Sequence, residues 1–379
     1  MLNNSFCFPS LYSMKLTAFA LPILVVFCFL SSCKKEDDIG GTPIPPPTMY
    51  DFTAVGALME SYEADFNGAV LLAVMRDDSL IYEKQIGQIG MDSRIPVASV
   101  SKWVSGAVLL ALDDAGILDI NAPVADHLPA FDSSPKNQIT PLHCFSIQSG
   151  LRECSVSDPD CLSANNDITL QEVAALAGSD VDMVASPGTA LYYGGLSMEV
   201  AAAAAEVASG KDWESLLLEY ITRPCEMTQS DFGNLTHPKV AAGLRTTASD
   251  YLNFLSMVRN GGMYNGQRVL SEAAVETMFT PWTLDKPVIY SPYPQQPPYH
   301  PYNAETVYYG FGGWMDVIDP MTGEVIQMSS PGGLGSYPYI DRRRNLAVVI
   351  FTLSSYTEVV EKELEIIQAI REAVDAYDQ

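Results

Sequence analysis

The chain has few basic residues. Of its 379 residues only 21 are Lys or Arg, against 46 Asp or Glu, and the net charge is −25. A surface that binds nucleic acid needs clustered Lys and Arg side chains. The densest basic run, Arg342 to Arg344, lies between two predicted strands, so we assign it to a solvated turn. We therefore expect no nucleic-acid partner.

The chain also lacks most motifs that identify an enzyme. It contains no G-x-S-x-G elbow, no H-E-x-x-H pair and no phosphate-binding P-loop. Its histidines are scattered, and none has the sequence setting of a catalytic triad or a zinc site: His127, His143, His237 and His300. We expect neither a metal nor a cofactor.

Residues 1–33 have the features of an export signal. Lys15 precedes an apolar run, residues 16–30, that is too short to span a membrane. The segment "LSSC" at 30–33 resembles the lipobox of bacterial lipoproteins, in which the cysteine becomes the lipidated N-terminus after cleavage. Cys33 is therefore the predicted lipidation site; the alternative is a plain secretory signal with an incidental cysteine.

Residues 34–49 are charged at first and then rich in Pro and Gly, a composition that cannot bury a core. We interpret them as a flexible tether between the lipid and a domain at 50–379. The acidic start, "KKEDD", resembles tracts that route some lipoproteins to the cell surface. The expected product is an exported, membrane-anchored lipoprotein that faces the periplasm or the cell surface, in the outer membrane of a Gram-negative bacterium.

Cysteine is sparse in the remainder of the chain. Cys154 and Cys161 lie in one polar loop with six residues between them, and an oxidising compartment favours a local disulfide there. Neither their spacing nor their neighbours suit zinc. Cys144 and Cys225 are interpreted as buried small hydrophobic residues.

The order of predicted elements indicates a mixed α/β fold. A helix near 51–65 and a hairpin that turns at Asp77–Asp78 begin the domain, and three strands and a helix end it. We expect both ends to build one antiparallel sheet covered by helices, from about 50–95 and 300–379. Residues 96–280 would form a helical lobe, with a ligand cleft between the lobes. The Pro- and Tyr-rich segment 281–309 is either a rigid surface loop or an aromatic wall of that cleft.

The pattern S-x-x-K occurs four times, so its context has to select among the matches. Ser31 and Ser32 fall at the lipobox, and a proline interrupts the match that begins at Ser133. Ser99 alone begins a predicted helix. That helix has a continuous apolar face and ends near a glycine, Gly116.

Ser99 and Lys102 are three residues apart, so they share a face of that helix. A buried lysine can lose its proton to desolvation and then accept the proton of a serine hydroxyl. The backbone N–H of Ser99, at a helix N-terminus, would face a developing oxyanion. The alternative is an N-cap serine followed by a surface lysine.

The surrounding sequence resembles the serine β-lactamase-like family, which joins D-alanyl-D-alanine peptidases, class C β-lactamases and esterases. The likeness begins with "VASVSKWVSGAVLLALDDAGILDINAPVADHLPAF" and continues in order over residues 50–375. Its further segments are "ITPLHCFSIQSGL", "SPGTALYYGGLSMEVAAAAAEVASGKDW", "AAGLRTTASDYLNFLSM", "YYGFGGW" and "SSPGGLGSYPYIDRRRNLAVVIF". The resemblance implies a β-lactamase/transpeptidase-like fold with the active site in the cleft.

The resemblance also implies roles for particular residues. Ser99 and Lys102 match the first motif, and Tyr193 matches the tyrosine of a Y-x-N motif, where it would relay a proton. Without the family alignment, Tyr193 could instead be a packed aromatic residue. Gly195 replaces the asparagine of that motif, so its polar contact is missing or supplied elsewhere.

The third motif usually begins with Lys or His, but here it reads Ser330-Pro331-Gly332-Gly333. The glycines would let a substrate lie close to the strand, and the Gly333 N–H would be the second oxyanion donor. A neutral Ser330 cannot replace a cation that binds a substrate carboxylate. This departure favours an ester, or an amide without that carboxylate, over a β-lactam.

The leading hypothesis is a serine hydrolase that forms an acyl-enzyme on Ser99, with Lys102 and Tyr193 as general base and acid. One alternative is a non-catalytic, lipid-anchored binding protein of the same fold, suggested by the departures at Gly195 and Ser330. Another is a peptidoglycan D-alanyl peptidase, which fits an exported protein but not Ser330.

Overall fold

The computed structural model describes residues 49–154, 161–233, 235–292 and 308–379. The predicted signal, Cys33 and nearly all of the tether lie outside the described residues. Within them, no helix combines the length and the apolar character that crossing a membrane requires.

Helices occupy the start, the middle and the end of the described chain. They are α1 Thr53–Ser61, α2 Ser101–Asp114, α3 Pro141–Phe145, α4 Leu170–Asp180, α5 Leu196–Ser209, α6 Trp213–Leu217, α7 Ala248–Arg259, α8 Glu272–Met278 and α9 Tyr356–Tyr377. A π-helical turn, Leu218–Thr222, extends α6, and a 3₁₀ turn, Ala98–Val100, precedes α2.

The longer strands lie near the two ends of the chain, and short strand pairs lie between them. They are β1 Val70–Arg76, β2 Ser79–Ile86, β3 Ile95–Pro96, β4 Leu191–Tyr192, β5 Arg245–Thr246, β6 Met263–Tyr264, β7 Gln267–Arg268, β8 Val288–Tyr290, β9 Tyr308–Tyr309, β10 Trp314–Ile318, β11 Val325–Ser329, β12 Tyr337–Asp341 and β13 Leu346–Thr352.

One antiparallel sheet joins the two ends of the domain. Its seven strands run in the order β2-β1-β13-β12-β11-β10-β9, so the N-terminal hairpin pairs with the last strand. The turn at Asp77–Asp78 has positive φ at both residues, which suits a two-residue hairpin loop. The predicted hairpin, the three C-terminal strands and the antiparallel sheet built from both ends are confirmed.

Both faces of the inner strand β13 are buried. Along β13, Leu346, Val348 and Ile350 join an apolar cluster with α1 and α9. The alternate residues Ala347, Val349 and Phe351 join a second cluster with the helices of the middle region. Side chains of successive strand residues point to opposite faces, so the near-continuous apolar sequence of β13 follows from its double burial.

Helix α2 is buried on all sides from Ser101 to Leu112, which differs from the one-sided helix that its apolar face predicted. It lies among α3, α5, α6 and α8. The small residues of α5, an alanine run after Glu199, allow that close packing because they occupy little volume. The predicted bounds of the two lobes stay a prediction.

Candidate active site

Ser99 lies in the 3₁₀ turn that precedes α2, two residues before the α-helix begins. This corrects the expectation that Ser99 begins the helix itself. The turn is tight because the Ser101 hydroxyl donates to the carbonyl of Ala98 at 2.6 Å, and Ala98 has a φ of +48°. A non-glycine residue with positive φ is conformationally strained and is common at functional sites.

Lys102 is directed at Ser99. Its Nζ lies 3.0 Å from Ser99 Oγ and 2.9 Å from the carbonyl oxygen of Ala241. The residue is only 3% exposed, because the surrounding helices bury α2 on all sides. Lys102 is therefore a buried amine in hydrogen-bond contact with a hydroxyl, not the surface lysine of the alternative interpretation.

Tyr193 lies between β4 and α5, beside this pair. Its ring centroid is 5.0 Å from Lys102 Nζ, and its ring stacks on that of Trp314 with centroids 5.2 Å apart. The Tyr193 N–H donates to the carbonyl of Tyr290 at 3.0 Å, which fixes the backbone. The structure thus brings Ser99, Lys102 and Tyr193 together.

At Gly195, where the related motif has asparagine, the neighbouring polar group is the carboxylate of Glu153. This carboxylate accepts hydrogen bonds from the backbone N–H groups of Gly195 and Leu196, the latter at 2.7 Å. A Cβ on Gly194 would lie 2.8 Å from a Glu153 oxygen. Glu153 therefore occupies space beside the motif and caps the N-terminus of α5, where a negative charge is favoured.

The loop between β11 and β12 lies against the Ser99 turn. The Ser330 hydroxyl is 3.1 Å from the Ser99 carbonyl oxygen and 3.3 Å from that of Gly312, and the residue is 2% exposed. The Gly332 N–H donates to the carbonyl oxygen of Ser336, whereas Gly333 is exposed. Ser330 and Gly332 support the turn from inside, and Gly333 is the member of this motif that faces solvent.

A cavity of about 330 Å³ opens over Ser99. A larger surface groove between α1 and α9 contains no comparable nucleophile and base. The cavity is lined by Ser99, Lys102, Glu153, Cys154, Ser163, Tyr193, Gly194, Gly195, Glu199, Lys239, Ala241, Ala242 and Tyr290.

Cys154 and Cys161 form the predicted disulfide at the rim of this cavity. Cys144 and Cys225 are buried free thiols, and burial raises the pKa of the Cys225 thiol to about 12. Glu153 and the two bonded sulfurs bring possible metal ligands close together. The sulfurs are not thiolates, however, and the carboxylate already accepts several hydrogen bonds, so this cluster does not suit a metal.

Sequence reasoning missed several residues that line the cavity. Glu153 adjoins a predicted disulfide cysteine, and Glu199 is an acidic residue in the first turn of an alanine-rich helix, where the helix dipole favours it whether buried or exposed. Neither these two residues nor Lys239 and Ala241 carried a sequence signal for a place in the cavity. Tyr290 belongs to the Pro- and Tyr-rich segment, and its place in the cavity favours the interpretation as an aromatic wall. Residues 293–307 of that segment lie outside the described residues.

The chain is similar to members of a known protein family. The sequence model described as Beta-lactamase matches residues 55–371. A crystal structure of a proposed beta-lactamase from Bacteroides dorei DSM 17855 is 29% identical, with a TM-score of 0.74, and the alignment covers 86% of this chain and 99% of that one. A family VIII carboxylesterase, 16% identical, has a TM-score of 0.65 over 85% of this chain and 97% of its own.

A curated relative is the D-alanyl-D-alanine-carboxypeptidase/endopeptidase AmpH of Escherichia coli (strain K12), which is 25% identical over 181 residues. That alignment covers 46% of this chain and 46% of the relative. The chain therefore matches about half the length of that enzyme.

Proposed function

Because the chain belongs to the beta-lactamase family of serine hydrolases, which includes esterases and D-alanyl peptidases, we propose that it hydrolyses an ester through an acyl-enzyme on Ser99. The observation that carries the proposal is the 3.0 Å contact between Lys102 Nζ and Ser99 Oγ at the base of an open cavity. A nucleophile and a base within hydrogen-bond reach are the minimum that covalent catalysis requires.

In the proposed reaction Ser99 Oγ attacks the ester carbonyl while its proton passes to Lys102 Nζ. The N–H groups of Ser99 and Gly333 stabilise the oxyanion of the tetrahedral intermediate. Lys102, assisted by Tyr193, returns the proton to the alkoxide as the C–O bond breaks, and the alcohol leaves. Water then attacks the acyl-enzyme by the same proton transfers, releasing the acid and restoring Ser99.

Ser330 supports an ester over a β-lactam or a D-alanyl peptide. Those substrates carry a carboxylate that a cation in the third motif would bind, and a charge-assisted hydrogen bond is about twice as strong as a neutral one. Here the residue is a serine whose hydroxyl is directed at two backbone carbonyls. Tyr290 adds an aromatic surface to the cavity, which suits an uncharged acyl or alcohol group.

We also propose that the protein is anchored by a lipid on Cys33 at the outer membrane, which rests on the "LSSC" segment and the tether that follows it. Metabolic labelling with a tagged fatty acid tests this. The proposal expects a labelled protein that loses its label in Cys33→Ala, and equal labelling of the variant would contradict it.

A substrate panel tests the proposed reaction. It comprises aryl esters of increasing acyl length, a chromogenic cephalosporin and a D-alanyl peptide, each with Ser99→Ala as control. We expect turnover of aryl esters that Ser99→Ala lacks, with much slower turnover of the cephalosporin. Release of D-alanine as the fastest reaction would favour the peptidase, and binding without turnover of any ester would favour the binding protein.

A further inference from the structure

Beneath the cavity, a buried pair connects α5 to the segment 237–241. Glu199 is 1% exposed and His237 is fully buried. Glu199 Oε2 lies 3.2 Å from His237 Nε2, and the other ring nitrogen, Nδ1, lies 2.6 Å from the carbonyl oxygen of Asn165. The reaction described above does not use either side chain.

The hydrogen bonds of this pair define its protonation. A carbonyl oxygen only accepts, so Nδ1 of His237 carries a hydrogen. Nε2 faces a carboxylate oxygen, so one more proton lies between His237 and Glu199. Burial lowers the pKa of His237, but the hydrogen bond and the charge of Glu199 outweigh it, and the pKa lies above its ordinary value. The pair therefore shares that proton across one hydrogen bond, and its net charge is zero.

The carboxylate of Glu199 also holds two successive peptide groups. Oε2 accepts from the Val240 N–H at 3.0 Å, and Oε1 accepts from the Ala241 N–H at 3.2 Å. The carbonyl groups of the same residues face α2. The Val240 carbonyl accepts from Ser105 Oγ at 2.7 Å, and the Ala241 carbonyl accepts from Lys102 Nζ at 2.9 Å.

The segment 237–241 is strained where these contacts hold it. Lys239 has a φ of +55°, a left-handed conformation that costs a non-glycine residue about 1 kcal/mol or more. Lys102 Nζ contacts both the Ala241 carbonyl oxygen and Ser99 Oγ, so the position of this carbonyl helps to set where the amine lies relative to the nucleophile.

We propose that Glu199, paired with His237, is a positioning residue that holds the Ala241 carbonyl against Lys102 and so aims the catalytic amine at Ser99. This inference rests on the proposed function of Lys102. A glutamine at 199 has the same shape, but its amide would direct N–H donors at the Val240 or Ala241 N–H. One of these would lose its acceptor, and the carbonyl facing Lys102 would shift.

The test is a double-mutant cycle on aryl ester hydrolysis in the full chain, with Glu199→Gln and Lys102→Ala alone and combined. We expect Glu199→Gln to lower kcat by about a hundredfold, the cost of a displacement of about 1 Å in a catalytic group, with KM changed by less than about threefold. In the Lys102→Ala background the same substitution should have no further effect, because it acts through Lys102.

Glu206→Gln is the matched control. Glu206 lies on the same helix, α5, about two turns after Glu199, and its carboxylate accepts from the Trp213 N–H at 2.9 Å. The Glu206→Gln substitution should lower the melting temperature, as Glu199→Gln does, and leave kcat unchanged. His237→Asn is the second variant, should Glu199→Gln fail to fold. In this variant Glu199 still accepts from the Val240 and Ala241 N–H groups. We expect kcat to fall about tenfold, and we expect no such fall when the substitution is made in the Lys102→Ala background.

Three outcomes would overturn the inference. A kcat of Glu199→Gln equal to that of the wild type, with His237→Asn equally active, contradicts it. The inference is also contradicted if the double variant Glu199→Gln/Lys102→Ala loses activity by the product of the two single losses. In that case the proposed reaction would still stand. Wild-type activity of Lys102→Ala contradicts both the inference and the proposed function.

Discussion

The peptide at Val97 sets how closely the β11–β12 loop approaches the Ser99 turn. A Cβ on Gly332 would lie 2.3 Å from the carbonyl oxygen of Val97, closer than real Cβ contacts, whereas one on Gly333 would meet no atom within 4 Å. Two neighbouring glycines of one motif therefore have different roles. Gly332 permits a close approach of two backbones, and Gly333 is an open, exposed position.

Gly332→Ala and Gly333→Ala test this difference. Gly332→Ala should displace the Ser99 turn, lower stability by about 1–3 kcal/mol through overpacking and reduce kcat/KM by at least about tenfold. Gly333→Ala keeps the backbone N–H and should leave both values within about twofold of the wild type. Melting curves and ester hydrolysis measure both. Equal effects of the two substitutions would contradict the packing described for Gly332.

Among the helices and strands, sequence patterns predicted the features that local sequence determines. The hairpin at Asp77–Asp78 and the helix that carries Lys102 followed from local periodicity and turn chemistry. Contacts between distant residues were not predictable in this way. Glu153 caps a helix 42 residues later in the chain, and its carboxylate fills space beside a motif from which the asparagine is missing.

Glu153→Ala tests the role of that cap. Removing the carboxylate leaves the Gly195 and Leu196 N–H groups without their acceptor, which should cost about 1–2 kcal/mol of stability. It should also lower kcat, because Tyr193 adjoins the turn that the carboxylate holds. The control is Glu172→Ala. Glu172 accepts from the Thr169 N–H at 2.8 Å in the capping box of α4 and does not line the cavity.

Thermal melting and ester hydrolysis compare the two caps. Glu172→Ala should also lower stability, but without changing kcat. An unchanged kcat in Glu153→Ala, with the expected loss of stability, would limit Glu153 to a structural role.

At the scale of the whole molecule, acidic groups are not confined to the surface. Glu363 of α9 is fully buried, and neither carboxyl oxygen has a hydrogen-bond partner among the described residues. Burial raises its pKa well above the ordinary value of 4.5. Asp316 in β10 is also buried, and its pKa is raised to about 7, although Gln327, Ser329 and Tyr337 donate to it. The helical periodicity of α9 predicted its apolar face but not this acid within it.

Glu363 should make the fold less stable as the pH rises. The folded protein holds a proton on Glu363 that the unfolded chain releases above its ordinary carboxyl pKa, so the stabilisation is complete below that value and is lost as pH rises. Glu363→Gln cannot ionise. Its advantage over the wild type should therefore grow above pH about 5, by up to about 1.4 kcal/mol per pH unit.

Urea unfolding of both proteins between pH 5 and 8 measures this advantage. Glu361→Gln, on the exposed side of the same helix, is the control and should show no such trend. A constant difference between Glu363→Gln and the wild type across this range would contradict the buried, protonated state of Glu363.

The proposed reaction requires that Ser99 carry the acyl group. The most direct measurement is intact and peptide mass spectrometry of the full chain after brief reaction with a fluorophosphonate or an activated aryl ester. We expect one adduct per chain, on the peptide that contains Ser99; it should be absent in Ser99→Ala and form far more slowly in Lys102→Ala. An adduct on another residue, or equal labelling of wild type and Ser99→Ala, would contradict it.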